Sequence, residues 1–228
     1  MGCYIMKKFI LLQINDASFP VGAYAHSNGL ETYIQKGIVN DKDTAFKYII
    51  NKLKYGILYT DLMAIKLIYK YRDNLSKILY IEELMEAGKV PYEVREGNKK
   101  MASRFLKTLK KLNYKTENNL FFEYSKVGRI SSYSIVYGIY CCSMEIDLME
   151  AIENFLYAQA SGMAINCVKA IPLSQTDGQI MLSNIIKRFE DIKNDLINIE
   201  EELFMLSTVG FDIRCMEHEC LYSRLYMS

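Results

Sequence analysis

Three stretches of this 228-residue chain gather side chains that can do chemistry. The first is Cys215-Met-Glu-His218-Glu-Cys220. Thiolate and imidazole are good ligands for zinc, nickel or copper, so Cys215 and His218 are candidate metal ligands. On a helix they share a face while Cys220 points elsewhere, so a complete site needs donors from other parts of the chain. The plainer reading is two small hydrophobic cysteines beside a surface histidine. The second stretch, Asp16-Ala-Ser-Phe-Pro-Val-Gly-Ala-Tyr-Ala-His26-Ser-Asn-Gly-Leu-Glu31, sets Pro20, Gly22 and Gly29 among polar groups. That is turn chemistry followed by a helix start near Ser27, with His26 and Glu31 placed either to meet a partner or to satisfy backbone groups. The third, Lys169 to Gln179, joins two helical patterns. Thr176 or Asp177 can cap the second of them, which leaves Lys169 and Gln175 unexplained by capping.

Catalysis finds little support. G-x-x-x-x-G-K-[ST], G-x-G-x-x-G, H-E-x-x-H and G-x-S-x-G are all absent, and two histidines exclude a histidine-rich site. A thiol enzyme built on Cys142 or Cys167 would need a histidine or acid beside the sulfur in space. The six cysteines, at positions 3, 141, 142, 167, 215 and 220, fall mostly inside apolar helical patterns and read as free thiols of a reducing compartment. A non-catalytic, cytoplasmic binding protein with no cofactor of its own is the expectation.

Composition agrees. Half of the residues are hydrophobic and only three are proline, which leaves long stretches free to be helical. Lys plus Arg (28) nearly balances Asp plus Glu (27), so no global field draws the chain to nucleic acid or to an anionic membrane. No run approaches the ~20 apolar residues of a membrane span. Lys7-Lys8 before Phe9 to Leu12 imitates a signal peptide but is too short to be one, and Met1-Gly2-Cys3 is a poor myristoylation match.

The elements that must position these groups read as helices. Phe46, Ile49, Ile50, Leu53, Ile57 and Leu58 recur at helical spacing after Asp41 and Asp43, and shorter runs follow at 62–71 and 75–85. Val94, Met101, Phe105, Leu109 and Leu112 form one stripe, with Lys99, Lys100, Arg104, Lys107, Lys110 and Lys111 on the other faces. Ile130 to Ile146 is apolar all round, as a central helix must be. Its neighbour, 148–168, carries Ala158, Ser161 and Gly162, small enough to let another backbone approach. From 180 to 206 the stripe Ile185, Phe189, Ile192, Leu196, Ile199, Leu203, Leu206 has the spacing of one long packed helix, whose acidic side offers a counter-charge to the basic run. The expected architecture is all-α, a single-domain bundle of about eight to ten helices over 1–228. The end, Asp212 to Ser228, is rich in Tyr, Arg and Met, the residues of interface hot spots, and reads as a docking segment.

Four stretches together resemble the urease accessory protein UreF family: Leu11 to Glu31; Glu93-Val-Arg95-Glu with Lys100-Met101 and Arg104; Val168-Lys169 through Pro172-Leu173 to Gln175; and Asp212-Ile213, Met216, His218-Glu219 and Leu221 to Leu225. The resemblance implies an all-α cytoplasmic homodimer that takes part in nickel insertion into apo-urease. It implies that the C-terminal region binds a second accessory protein, UreD or UreH, and that the complex recruits and regulates the GTPase UreG. On this likeness His26, Glu31, Lys169, Gln175 and Asp177 fall on the GTPase side. Asp212, Met216, His218, Glu219, Tyr222 and Arg224 fall on the UreD/UreH side. Nickel is then cargo of the assembled complex. The alternative is a small metal-binding or nickel-transfer protein using Cys215 and His218; the cysteines are not part of the family pattern.

Overall fold

The computed structural model describes the backbone of residues 2–227 and the side chains of 6–23 and 25–227, so the Cys3 thiol and Ser228 lie outside the described residues. Helix α1 (Gly2–Ile14) leads into the loop marked by Pro20 and Gly22, which holds a 3-10 turn at Ala23–Ala25, and then into the short α2 (Leu30–Gln35). Helix α3 (Lys42–Asn51) starts on a capping box: Asp41 accepts from the Thr44 amide at 2.8 Å while the Thr44 hydroxyl accepts from the Asp41 amide at 3.1 Å. It continues through a π-helical stretch, Lys52–Leu62, into α4 (Met63–Lys70). There follow α5 (Leu75–Gly88), α6 (Tyr92–Leu112), α7 (Leu120–Val127), α8 (Tyr133–Ser143) and α9 (Leu148–Ala170). The chain closes with α10 (Gln175–Ile186), α11 (Phe189–Asn198), a 3-10 turn at Glu201–Leu203 and α12 (Val209–His218). No strand occurs among the described residues, so the all-α expectation holds. No helix among them is long and apolar enough to cross a membrane.

Helix α8 is the hub. Every residue from Ser134 to Ser143 is buried, because α4, α6 and α7 pack around it and α9 lies alongside. Its aromatic side meets both long neighbours: Phe105 of α6 and Phe155 of α9 stand 4.9 and 6.0 Å from the Tyr133 ring, and the Tyr137 hydroxyl donates to the Ala151 carbonyl at 2.9 Å. Burial of such large side chains on both sides holds α6 and α9 in fixed positions, and those two helices carry the groups described below.

Four local expectations need correction. The 180–206 pattern is not one helix: it breaks after Ile186 and ends at Asn198. The Lys66 ammonium donates to the carbonyls of Leu196, Ile197 and Ile199 at 2.7, 3.0 and 3.0 Å, doing what the amides of a further turn would have done. The chain then leaves the seam, Met205 takes a left-handed φ of 65° with its amide on the Tyr59 carbonyl, and Leu203 and Leu206 stay 41% and 49% exposed. The acids on this stretch pair with Lys54, Lys70, Lys77 and Lys193, not with the basic run of α6. Helix α10 is capped by Ser174, three residues before Asp177, which closes its capping box. Helix α2 begins at Leu30, behind a left-handed Gly29, and not at Ser27.

Candidate functional site

Gly29 is where the two ends of the chain meet. Its φ of 87° suits only glycine well, and a Cβ there would lie 2.9 Å from the Cys215 sulfur and 3.2 Å from the Cys215 amide nitrogen. The backbone of α12 therefore lies directly on the N-terminal loop. Two residues further on, Glu31 is in the first turn of α2 and 5% exposed. Its carboxylate faces His218 Nε2 at 3.0 Å and accepts from the amides of Leu225 at 2.7 Å and Tyr226 at 3.3 Å. The other ring nitrogen of His218, Nδ1, lies 2.8 Å from Glu93 in the first turn of α6. Glu93 in turn accepts from Arg224 at 2.5 Å. Both ring nitrogens of the fully buried His218 thus face carboxylate oxygens, and Arg224 adds a cation to the same cluster.

Further contacts hold the rest of the tail. The Thr32 hydroxyl donates to the Arg214 carbonyl at 2.9 Å, the Gln35 amide to the Ser223 carbonyl at 3.0 Å, and the Met227 amide to the Ala25 carbonyl at 2.8 Å. Phe211 of α12 packs its ring against Tyr33 and Tyr48 with centroids 5.9 and 6.0 Å away. Asn166 of α9 donates to the His26 carbonyl and accepts from the Tyr226 hydroxyl, tying loop and tail to the bundle. His26 lies flat enough on α6 that a Cβ on Gly97 would be 2.8 Å from its ring. Burial, and then the charges of Lys100 and Arg104, hold this imidazole below its usual range and favour its neutral form.

The groups expected on two separate sides are thus partly one assembly. Glu31, His218 and Arg224 share the network, Glu219 accepts weakly from the Glu93 amide at 3.4 Å, and His26 adjoins it through Asn166. Lys169 is exposed one turn beyond Asn166 and makes no ion pair among the described residues. Gln175 is exposed, and Asp177 bonds Ser174 and pairs with Lys42 at 3.5 Å; neither touches the network. Asp212 accepts from the Ser207 hydroxyl at 2.8 Å. Met216 and Tyr222 face solvent, Tyr222 completely. Sequence reasoning left Glu93, Asn166 and Tyr226 out of the site. Glu93 carried a signal as part of the Glu-Val-Arg-Glu stretch and Tyr226 as part of the tyrosine-rich tail, whereas Asn166 carried none.

Cys142, Cys167 and Cys215 lack the surroundings that metal or nucleophilic chemistry needs. Cys215 is buried against Gly29, His218 is occupied by two carboxylates, and Cys220 is exposed; no group of three or more His, Cys, Asp or Glu side chains among the described residues converges as metal ligands would. Burial pushes the Cys215 thiol up, Cys142 to about 11 and Cys167 to about 12, which disfavours the thiolate at each.

The protein family described as UreF matches residues 39–186. Two relatives named urease accessory protein UreF, from Actinobacillus pleuropneumoniae serotype 5b (strain L20) and serotype 3 (strain JL03), are each 33% identical over 221 residues, covering 96% of this chain and 97% of the relative.

Proposed function

The chain belongs to the UreF family of urease accessory proteins, and from that premise we propose that it works as a non-catalytic assembly factor in nickel insertion into apo-urease. In this reading it acts in the cytoplasm as a homodimer, its tail from Asp212 onward engages UreD or UreH, and the resulting complex recruits and regulates the GTPase UreG. Nickel is cargo of that assembly and GTP belongs to the partner. The observation that carries the reading is the two-faced tail. Its inner side is tied to Glu31, Glu93 and Ala25, while Met216, Tyr222, Leu225 and Met227 stand in solvent as large exposed side chains of the kind that anchor interfaces. A tail so held presents its outer side chains in one conformation, which lowers the ordering cost of binding. Lys169, exposed one turn from Asn166 and without an ion pair among the described residues, is the GTPase-side residue most open to a charged partner, with Gln175 and Asp177 in the first turn of α10 beyond it.

Deletion of the residues after Thr208 should lower the helical signal only by the share of α12, leave the rest of the bundle folded and remove co-purification with UreD or UreH. Undiminished co-purification would take the tail out of the proposal. Lys169→Glu should weaken UreG recruitment or change GTP turnover in the complex without altering the fold, and a variant indistinguishable in both would remove Lys169.

A further inference from the structure

Many cations on this surface are matched by acids, and others stand alone among the described residues. Lys42, Lys54, Lys70, Lys89, Lys193 and Arg224 each reach a carboxylate within 3.5 Å. The outer face of α6 gathers cations without acid partners in one place. Lys100, Arg104, Lys107, Lys110 and Lys111 are all exposed there, and among the described residues none makes an ion pair. No acid lies between Glu96 and Glu117 to supply one. Positions 100, 104, 107 and 111 step by four, three and four, so they form a single ridge roughly 16 Å long. The apolar stripe of the same helix, Phe105 and Leu109 included, is buried against the bundle and fixes the ridge outward.

The ridge is continuous with the tail site. Helix α6 begins at that site, where Glu93 holds His218 and Arg224. Lys100 and Arg104 act electrostatically on His26, and Arg104 reaches the Val21 carbonyl at 3.5 Å. From there the charges run away toward α1, where the Tyr114 hydroxyl bonds Gln13. We propose that this ridge is a second contact surface for the accessory protein that takes the tail, and that it receives a carboxylate-rich face of that protein; this rests on the tail reading above. The alternative occupant, nucleic acid, fits less well. The ridge has no exposed aromatic side chain on which a base could stack, and a net charge of +1 gives the whole molecule no field to hold a polyanion. A rigid row of lysines is instead matched by fixed carboxylates, which set orientation and speed association while contributing modestly to affinity at high salt.

The test uses the full chain and purified UreD or UreH, with affinity measured at about 50 mM and about 500 mM salt. Combined Lys107→Glu, Lys110→Glu and Lys111→Glu replaces charges that lie outside the tail network. It should weaken binding by about tenfold or more at low salt and by about twofold or less at high salt. The Lys→Arg triple should bind as the parent does, and the Lys→Gln triple should fall between, which separates loss of charge from loss of fold. Affinity and salt dependence unchanged by the glutamate triple would overturn the proposal. So would a triple that leaves the protein complex intact while releasing a DNA duplex that the parent chain retains, an outcome that assigns the ridge to nucleic acid. Deletion after Thr208, run in parallel with the helical signal of the remaining bundle as a control, reports on α12 and the tail: if binding survives the deletion but still falls with the glutamate triple, the tail reading fails and the ridge stands.

Discussion

His26 shows how a residue that looks like a partner contact is also a structural wedge. Its ring fills the space that Gly97 leaves open on α6, and its carbonyl is bonded by Asn166. A buried imidazole beside Lys100 and Arg104, with Glu93 opposing them, resists protonation in the folded state. In the unfolded chain the same group takes up a proton near pH 6.5. Below that pH the unfolded state therefore binds more protons, so stability is intact above it and falls as the medium is acidified through it. The urea midpoint should drop between about pH 7 and about pH 5, and it should drop less in His26→Gln. Parallel pH curves for the two proteins would show that His26 does not titrate on unfolding. Glu31 carries the complementary lesson. Its partners His218, Leu225 and Tyr226 are nearly two hundred residues away, a juxtaposition that neither spacing nor composition of a single chain can reveal.

Periodicity was a good guide to elements wherever one face of a helix is buried along its whole length. The stripes of α3 and α6 and the all-round apolar α8 correspond to helices at those places. It misled from Ile180 onward because heptad spacing records which residues are buried, not whether the backbone is continuous: Ile185, Phe189, Ile192 and Leu196 do line one seam, yet two helices share it. What ends the second is a side chain from another element, Lys66, whose three bonds to carbonyls are invisible in the local sequence. Burial and the neighbouring Lys70 pull the Lys66 pKa down. Replacement by Met keeps the stem packed but abandons three acceptors, so Lys66→Met should cost about 1–3 kcal/mol in a urea titration. A loss under about 0.5 kcal/mol would mean that water serves those carbonyls as well as lysine does. The same segment, through the Met205 amide on Tyr59 and the pairing of Glu201 with Lys70, sets where α12 starts and hence where the tail can lie.

For the molecule as a whole, the features that face outward fall into distinct regions. The basic ridge lies on α6, and the tail is held at the first turn of that helix. Elsewhere, Met6, Phe9 and Leu12 expose more than half of their surface along α1, Tyr157 and Ile165 are exposed on α9, and the two helices pack together. Gly162, between Tyr157 and Ile165, has nothing within 4 Å of where a Cβ would be, so its weakening of the helix is not offset by packing within the chain. Large apolar side chains on adjacent helices beside a backbone open to close approach are what a self-complementary two-fold interface needs. The proposed homodimer is therefore expected to form through α1 and α9, leaving the tail and ridge of each copy available to other proteins. Phe9→Asp combined with Tyr157→Asp places charges where both helices would meet their copies, while neither side chain is buried in its own chain. Sedimentation velocity should then give a monomer for the double variant and a dimer for the parent, with the same helical signal in both. A double variant that still sediments as a dimer would assign self-association to some other face of the bundle, and one that loses its helical signal would mean that the exposed side of α1 helps to hold the fold.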